Sequence, residues 1–151
     1  MRLRDATPDD LDAIAHLIRA LAEYERLTDE VVWTDEQLFE SLFGADAVPR
    51  VLLAEVDDPA TGTTTVAGMA IWYRTYSSFL ARPGIWLEDL FVRPEHRGRG
   101  LGRALLDHLF QRAGEGRVEW AVLDWNTPSM EFYESLGAHP VPDWIRYRWI
   151  P

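Results

Sequence analysis

The chain has 151 residues, 47% of them apolar and 26% charged, which suits one globular domain over residues 1–151 with a core of its own and argues against disorder. Acids outnumber bases 25 to 15, for a formal net charge of −10, so a polyanion such as nucleic acid is disfavoured as a partner and a cationic small molecule is favoured. Cysteine is absent and His16, His96, His108 and His139 show no ligand spacing, so disulfides and thiolate sites are excluded and no metal is expected. No apolar run reaches the roughly 18 residues of a membrane span, and the N-terminus lacks a secretory h-region, so the expectation is a cytoplasmic protein without membrane contact.

Residues 2–6 read as a short first strand. Thr7-Pro8-Asp9-Asp10 is a helix start, with a capping hydroxyl, proline at the first helical position and acids in the first turn. Leu11, Ile14, Ala15, Ile18, Leu21 and Ala22 then mark one apolar face. Continuing that face lands on Glu25, an acid where a core residue is expected, with Tyr24 beside it. Residues 27–33 form a loop of the length that lines sites. Thr34-Asp35-Glu36-Gln37 is a capping box for a short helix that stops at Gly44. Residues 51–56 and 66–76 read as an antiparallel strand pair around a polar turn at 57–65 that holds Pro59 and Gly62. Residues 85–93 are the next strand, stopped by Pro94.

A glycine-spaced loop follows and runs into a helix marked by Leu101, Ala104, Leu105 and Leu109, which ends near Gly114-Glu115-Gly116. Residues 117–125 are apolar on both sides and read as a central strand. Asn126-Thr127-Pro128-Ser129 starts another helix, with Phe132, Tyr133 and Leu136 inside and Gly137 as its stop. Residues 144–150 read as a last strand, and most of the seven tryptophans are expected in the core or at interfaces. The order β-α-α-β-β-β-α-β-α-β describes an α/β chain whose mixed sheet carries helices on both faces.

The loop fits an anion at a helix N-terminus. A nucleotide P-loop would need Gly-x-x-x-x-Gly-Lys-Ser/Thr, which is missing, and a dinucleotide fingerprint would need glycine where Arg103 stands. The run Arg97-Gly98-Arg99-Gly100-Leu101-Gly102 is instead Arg-x-x-Gly-x-Gly, directly after Leu87-Glu88-Asp89-Leu90-Phe91-Val92. Further on, Asn126-Thr127-Pro128-Ser129-Met130-Glu131-Phe132-Tyr133-Glu134-Ser135-Leu136-Gly137-Ala138 has the form Asn-x-x-(small)-x-x-Phe-Tyr-x-x-x-Gly-Ala. With these two motifs the chain resembles the GNAT family of acetyl-CoA-dependent N-acetyltransferases over nearly its whole length. Glu23-Tyr24-Glu25 and Trp125-Asn126-Thr127-Pro128-Ser129 make it most similar to the diamine (spermidine/spermine-type) branch.

The resemblance implies acetyl-CoA as co-substrate and a homodimer. It implies that backbone amides of Gly98, Arg99, Gly100, Leu101 and Gly102 hold the pyrophosphate, with Arg97 and Arg103 adding positive charge. The pantetheine arm would lie along Leu90, Phe91 and Val92, where that strand splays from the next one, with Asn126 and Ser129 contacting it. Tyr133 would protonate the departing thiolate; without the motif it reads as a core aromatic. Glu88 is the candidate base and ammonium site, against a plain salt bridge to an arginine. Asp89 divides evenly between function and structure. Tyr24, Glu25, Glu88 and Asp143 would bind the amine, whereas Glu23 and Glu30 read as a solvated acidic face. Pro151 follows the last expected strand closely and only Asp143 precedes Trp144, which leaves a lysine-like or thialysine-like amine open beside a polyamine. The lack of a thiol nucleophile favours direct transfer in a ternary complex. The alternatives are a silent CoA-binding module of the same fold and a nucleotide-binding regulator.

Overall fold

The computed structural model describes residues 1–57 and 61–150; the polar turn expected around Pro59 lies outside the described residues in part. The chain divides into two compact units, Met1–Ala121 and Val122–Pro151. The first carries one five-stranded sheet in the order β1-β2-β3-β4-β5. The strands are β1 (Arg2–Asp5), β2 (Arg50–Asp57), β3 (Thr64–Ser77), β4 (Arg82–Val92) and β5 (Val118–Glu119). The first four pair antiparallel and β4 pairs parallel with β5, so the sheet is mixed as the order of elements implies.

Its helices are α1 (Leu11–Glu25), α2 (Asp35–Phe43) and α3 (Leu101–Ala113). The apolar stripe of α1, through Ile14, Leu17 and Leu21, meets Leu38 and Leu42 of α2 and the Val51, Leu53, Met69, Ile71 and Phe91 side of the sheet. Alternation sends Leu52, Ala70, Trp72 and Leu87 to the opposite face. There α3 lies on β2, β3 and β4 with Leu105, Leu106 and Leu109 fully buried. The helices thus cover both faces, and the expected start and stop signals hold. Thr34 accepts from the Gln37 N–H at 3.2 Å, Gly44 caps α2, and Gly114 ends α3 at φ 59°.

The sheet's first edge is locked by charge. Arg4 donates to both Asp10 oxygens, at 2.7 and 2.6 Å, and to Glu55 at 2.7 Å, and the Thr7 N–H adds 2.8 Å to Asp10. Both carboxylates are buried. Across the sheet Arg112 of α3 reaches the Asp5 carboxylate at 2.9 Å and lies over the Trp72 ring.

Two strand expectations are corrected. Residues 117–125 form a strand only at Val118–Glu119, because the parallel ladder with β4 holds two residue pairs, Ile85 with Val118 and Trp86 with Glu119, and then ends. Without a neighbouring ladder the β-forming residues beyond them stay irregular, and Val122 and Trp125 are exposed. Residues 144–150 form no strand: Trp144, Ile145, Tyr147, Trp149 and Ile150 are all exposed, so their β propensity meets no pleated surface to fit. Of the tryptophans, Trp72 is the buried one, while Trp86 and Trp120 are half-buried. The second unit holds one helix, α4 (Thr127–Ser135), with Asn126 accepting from the Ser129 N–H and Gly137 at φ 89° closing it.

Arg4 holds the Asp10 carboxyl down at about 2, below its ordinary 3.8. A depressed acid stabilises the fold above its unfolded value and loses that contribution as pH falls through the folded one. Asp10→Asn is therefore expected to cost on the order of 2 kcal/mol at pH 7, and nearly nothing at pH 2. Urea unfolding of both proteins across that range measures it.

Candidate active site

The glycine loop, the end of β4 and the end of α1 meet in the first unit. Gly98 and Gly100 sit at φ 70° and 80°, in the left-handed region, and a Cβ at either would meet open space. The glycines are therefore demanded by torsion, not by crowding from the protein. Gly100 caps α3 without any side-chain bond, so the N–H groups of the first turn are left for an external acceptor at the positive end of a helix.

The arginines of this loop do different things. Arg103 lies 3.5 Å from Asp107, one helical turn on. Arg99 lies 3.1 Å from the Nδ1 of His96. Arg97 turns back instead. Its Nε donates to the Val92 carbonyl at 2.9 Å, and its guanidinium lies 4.9 Å from the Tyr24 ring centre and 5.6 Å from that of Phe91. Arg97 thus ties the loop to both β4 and α1, a placement that a count of positive charges does not reveal.

β4 is irregular where it matters. Trp72 of β3 faces Leu87 and Ile71 faces Asp89, so Glu88 is an extra residue with no opposite number. This is a β-bulge, and it resets the alternation. Trp86 and Glu88 share the face of Tyr73, which is also that of Ile71; past the bulge, Asp89 and Phe91 continue on that same face, toward α1. Two successive carboxylates therefore face the same way. Leu90 and Val92, half-buried, face the other. The edge of β4 away from β3 carries β5 only as far as Trp86, so among the described residues no strand pairs with residues 87–92 on that side. That open edge is where the sequence places an added strand-like ligand.

The two acids have different environments. Glu88 is exposed, and its Oε2 accepts from the Trp86 indole N–H at 2.8 Å. Asp89 is half-buried, and burial first, then the Glu88 and Glu25 carboxylates, push it up to about 7 from an ordinary 3.8. Glu25, the last residue of α1, is half-buried and raised by burial too. Tyr24 and Glu25 therefore do stand with Glu88 and Asp89, as the helix face that ran into an acid suggested. What sequence reasoning missed is that Asp89, not Glu88, is the perturbed group. Strict alternation would have put the two on opposite sides of the strand.

The remaining predicted residues belong to the second unit. Asn126 is buried and caps α4, Ser129 is half-buried in its first turn, and Tyr133 is half-buried with its ring 5.4 Å from that of Phe132. Asp143 is exposed in the irregular segment after α4. No group of three or more potential metal-ligating side chains occurs among the described residues. No helix among them is long and apolar enough to cross a membrane.

Comparisons bear on what such an arrangement does. Residues 15–138 match the Acetyltransferase (GNAT) family. The chain is 37% identical to thialysine N-epsilon-acetyltransferase of Bos taurus, over 93% of this chain and 85% of that protein. It is 32% identical to L-ornithine N5-acetyltransferase NATA1 of Arabidopsis thaliana, over 95% of this chain and 81% of that protein. Spermidine/spermine N(1)-acetyltransferase-like protein 1 of Homo sapiens is 33% identical over 91% of this chain but only 20% of its own length. In fold, the crystal structure of a probable acetyltransferase superposes with a TM-score of 0.78 at 21% identity, covering 100% of this chain and 98% of that one.

An acid raised by burial opposes folding once it ionises, so stability falls as pH rises from the ordinary value through the folded one. Asp89→Asn is thus expected to be more stable than wild type at pH 8, by on the order of 2 kcal/mol after discount for the water that still reaches the carboxyl. At pH 4 the two should unfold together. Thermal unfolding at both pH values reads this directly.

Proposed function

The chain belongs to the GNAT acetyltransferase family and is an acetyl-CoA-dependent N-acetyltransferase, and from that premise we propose that its acceptor is a small molecule with a primary amine and a second charged group: a basic amino acid of the ornithine, lysine or thialysine type, or a diamine or polyamine. The observation that carries this reading is the meeting of Glu25, Glu88 and Asp89 on one face beside the glycine loop. Carboxylates gathered away from water are costly unless a cation joins them, and an ammonium group is such a cation. The named relatives that act on ornithine and thialysine, and the spermidine/spermine-type relative, support the same class.

The residue roles follow as part of the proposal. The amides from Gly98 to Gly102, with Arg103, bind the pyrophosphate of CoA. The geometry in favour is the left-handed pair Gly98 and Gly100 at the start of α3. The open edge of β4 at Leu90, Phe91 and Val92 receives the pantetheine arm by strand-like pairing. Asn126 and Ser129 contact that arm, and Tyr133 gives a proton to the departing thiolate. Their support is the Asn-to-Gly-Ala motif and the α4 helix that it forms. Tyr24 and Asp143 complete the amine wall. We also propose that residues 1–151 act as one domain, as a cytoplasmic homodimer, by direct transfer without a covalent enzyme intermediate. The family match, which runs across both units, supports the one-domain reading. The excess of acids weighs against nucleic acid as a partner.

Thiol release from acetyl-CoA, measured against L-ornithine, L-lysine, thialysine, putrescine and spermidine, tests the proposal. At least one should turn over, and Tyr133→Phe should lower kcat by about 100-fold, the scale of a lost general acid. Binding of CoA with no turnover on any of the amines would instead favour a silent cofactor-binding module.

A further inference from the structure

We propose that Asp89, rather than the neighbouring Glu88, is the group that accepts the proton of the substrate ammonium, while Glu88 is a binding and positioning residue. The proposal rests on the acetyltransferase reading of the site and deepens it. Three observations of geometry carry it.

First, the bulge gives the two acids unequal places. Glu88 is the unpaired extra residue, whereas Asp89 sits in register opposite Ile71, on the face that continues to Phe91 and the core. Asp89 is therefore held by the ladder. Second, Glu88 has a partner: its Oε2 takes the Trp86 N–H at 2.8 Å, and the side chain is exposed. A hydrogen bond to the charged form, in water, keeps a carboxylate ionised and a poor base. Third, Asp89 is half-buried among groups that disfavour its charge. The charged groups that face it are Glu88 on its own strand and Glu25 from α1. Ile71 of β3 is uncharged, and the Arg97 guanidinium, spent on the Tyr24 and Phe91 rings and the Val92 carbonyl, does not draw it down.

The chemistry needs such a group. A primary ammonium of lysine type titrates near 10, so an ordinary carboxylate near 4 takes its proton only against a gap of about six decades. With Asp89 at about 7, half of that gap is gone. The step balances. One proton passes from R–NH3+ to the Asp89 carboxylate, leaving R–NH2 and a neutral Asp89. The nitrogen lone pair then forms the C–N bond to the acetyl carbon, and the second amine proton leaves as the adduct collapses. The C–S bond breaks with its electron pair on sulfur, and the thiolate is protonated.

The experiment is a set of pH profiles of kcat/KM for the full chain, with acetyl-CoA saturating and the best amine of the panel varied. Wild type is expected to show an acid limb of slope one that bends near pH 7. Glu88→Gln should keep that bend, with KM for the amine raised several-fold. Asp89→Asn should lose the limb and fall at least 100-fold in kcat/KM between pH 7 and 8. Asp89→Glu should restore part of the rate with a shifted bend, a rescue that a structural role does not give. Loss of the limb in Glu88→Gln with its retention in Asp89→Asn would overturn the assignment. A wild type that turns over no amine would sink the acetyltransferase reading and the base role with it. In that event, 13C NMR titration of the Asp89 carboxyl still tells a perturbed acid from an ordinary one.

Discussion

One extra residue in one strand governs the site. With Glu88 bulged out of the β3–β4 ladder, Trp86 and Glu88 before it and Asp89 and Phe91 after it all lie on the α1 face. Leu87 just before the bulge stays on the α3 face with Trp72 opposite and is buried. Had the ladder stayed regular, either Phe91 or Leu87 would have had to leave its core, since a one-residue slip moves every side chain beyond it to the other face. The two hydrophobic cores, one under α1 and one under α3, thus fix the bulge between them. The bulge in turn bends β4 at the place where its ladder with β5 has just ended, and leaves residues 87–92 with an open edge.

The gathered acids are a cost that the fold carries for its chemistry. Asp89 is raised by burial and by two like charges, and Glu25 stands at the C-terminal end of α1, where the helix dipole is negative and a carboxylate is least welcome. The contrast within the same unit is Glu55 and Asp10, which are more deeply buried but supplied with Arg2 and Arg4. There buried charge is structural and matched. At the β4–α1 corner it is unmatched among the described residues, which is the pattern of a site built to receive a positive group and not of a core ion pair.

Much of this was legible in the sequence, and the failures have definite causes. The capped helices, the glycine loop and the strand pairs follow from local chemistry: Thr34, Gly44, Gly100 and Gly114 each satisfy a torsional or hydrogen-bonding need that no tertiary contact has to supply. Glu25 announced itself by interrupting an apolar face. The Glu88–Asp89 pair was found as a pair but not resolved, because alternation is all that a sequence offers and a bulge is set by which core each flanking residue must reach. The strand expected at 117–125 shrank to two residues and that at 144–150 did not form, because aromatic and branched residues mark a willingness to pair, whereas a strand exists only where a partner ladder continues.

The same limit applies to Arg97, and there it is informative. By motif it is one more positive charge for a phosphate. In place, its guanidinium bridges the rings of Tyr24 and Phe91, while its Nε holds the carbonyl at the end of β4. Helix α1 supplies the amine wall, and the segment after Arg97 supplies the anion loop. A planar cation stacked on aromatic faces couples them in a way that a lysine point charge would not. The acids of the wall therefore remain unneutralised even with an arginine close along the chain, because its charge is directed to ring faces and a backbone carbonyl. Keeping that cation occupied is what allows Asp89 to stay a strong enough base for an ammonium proton.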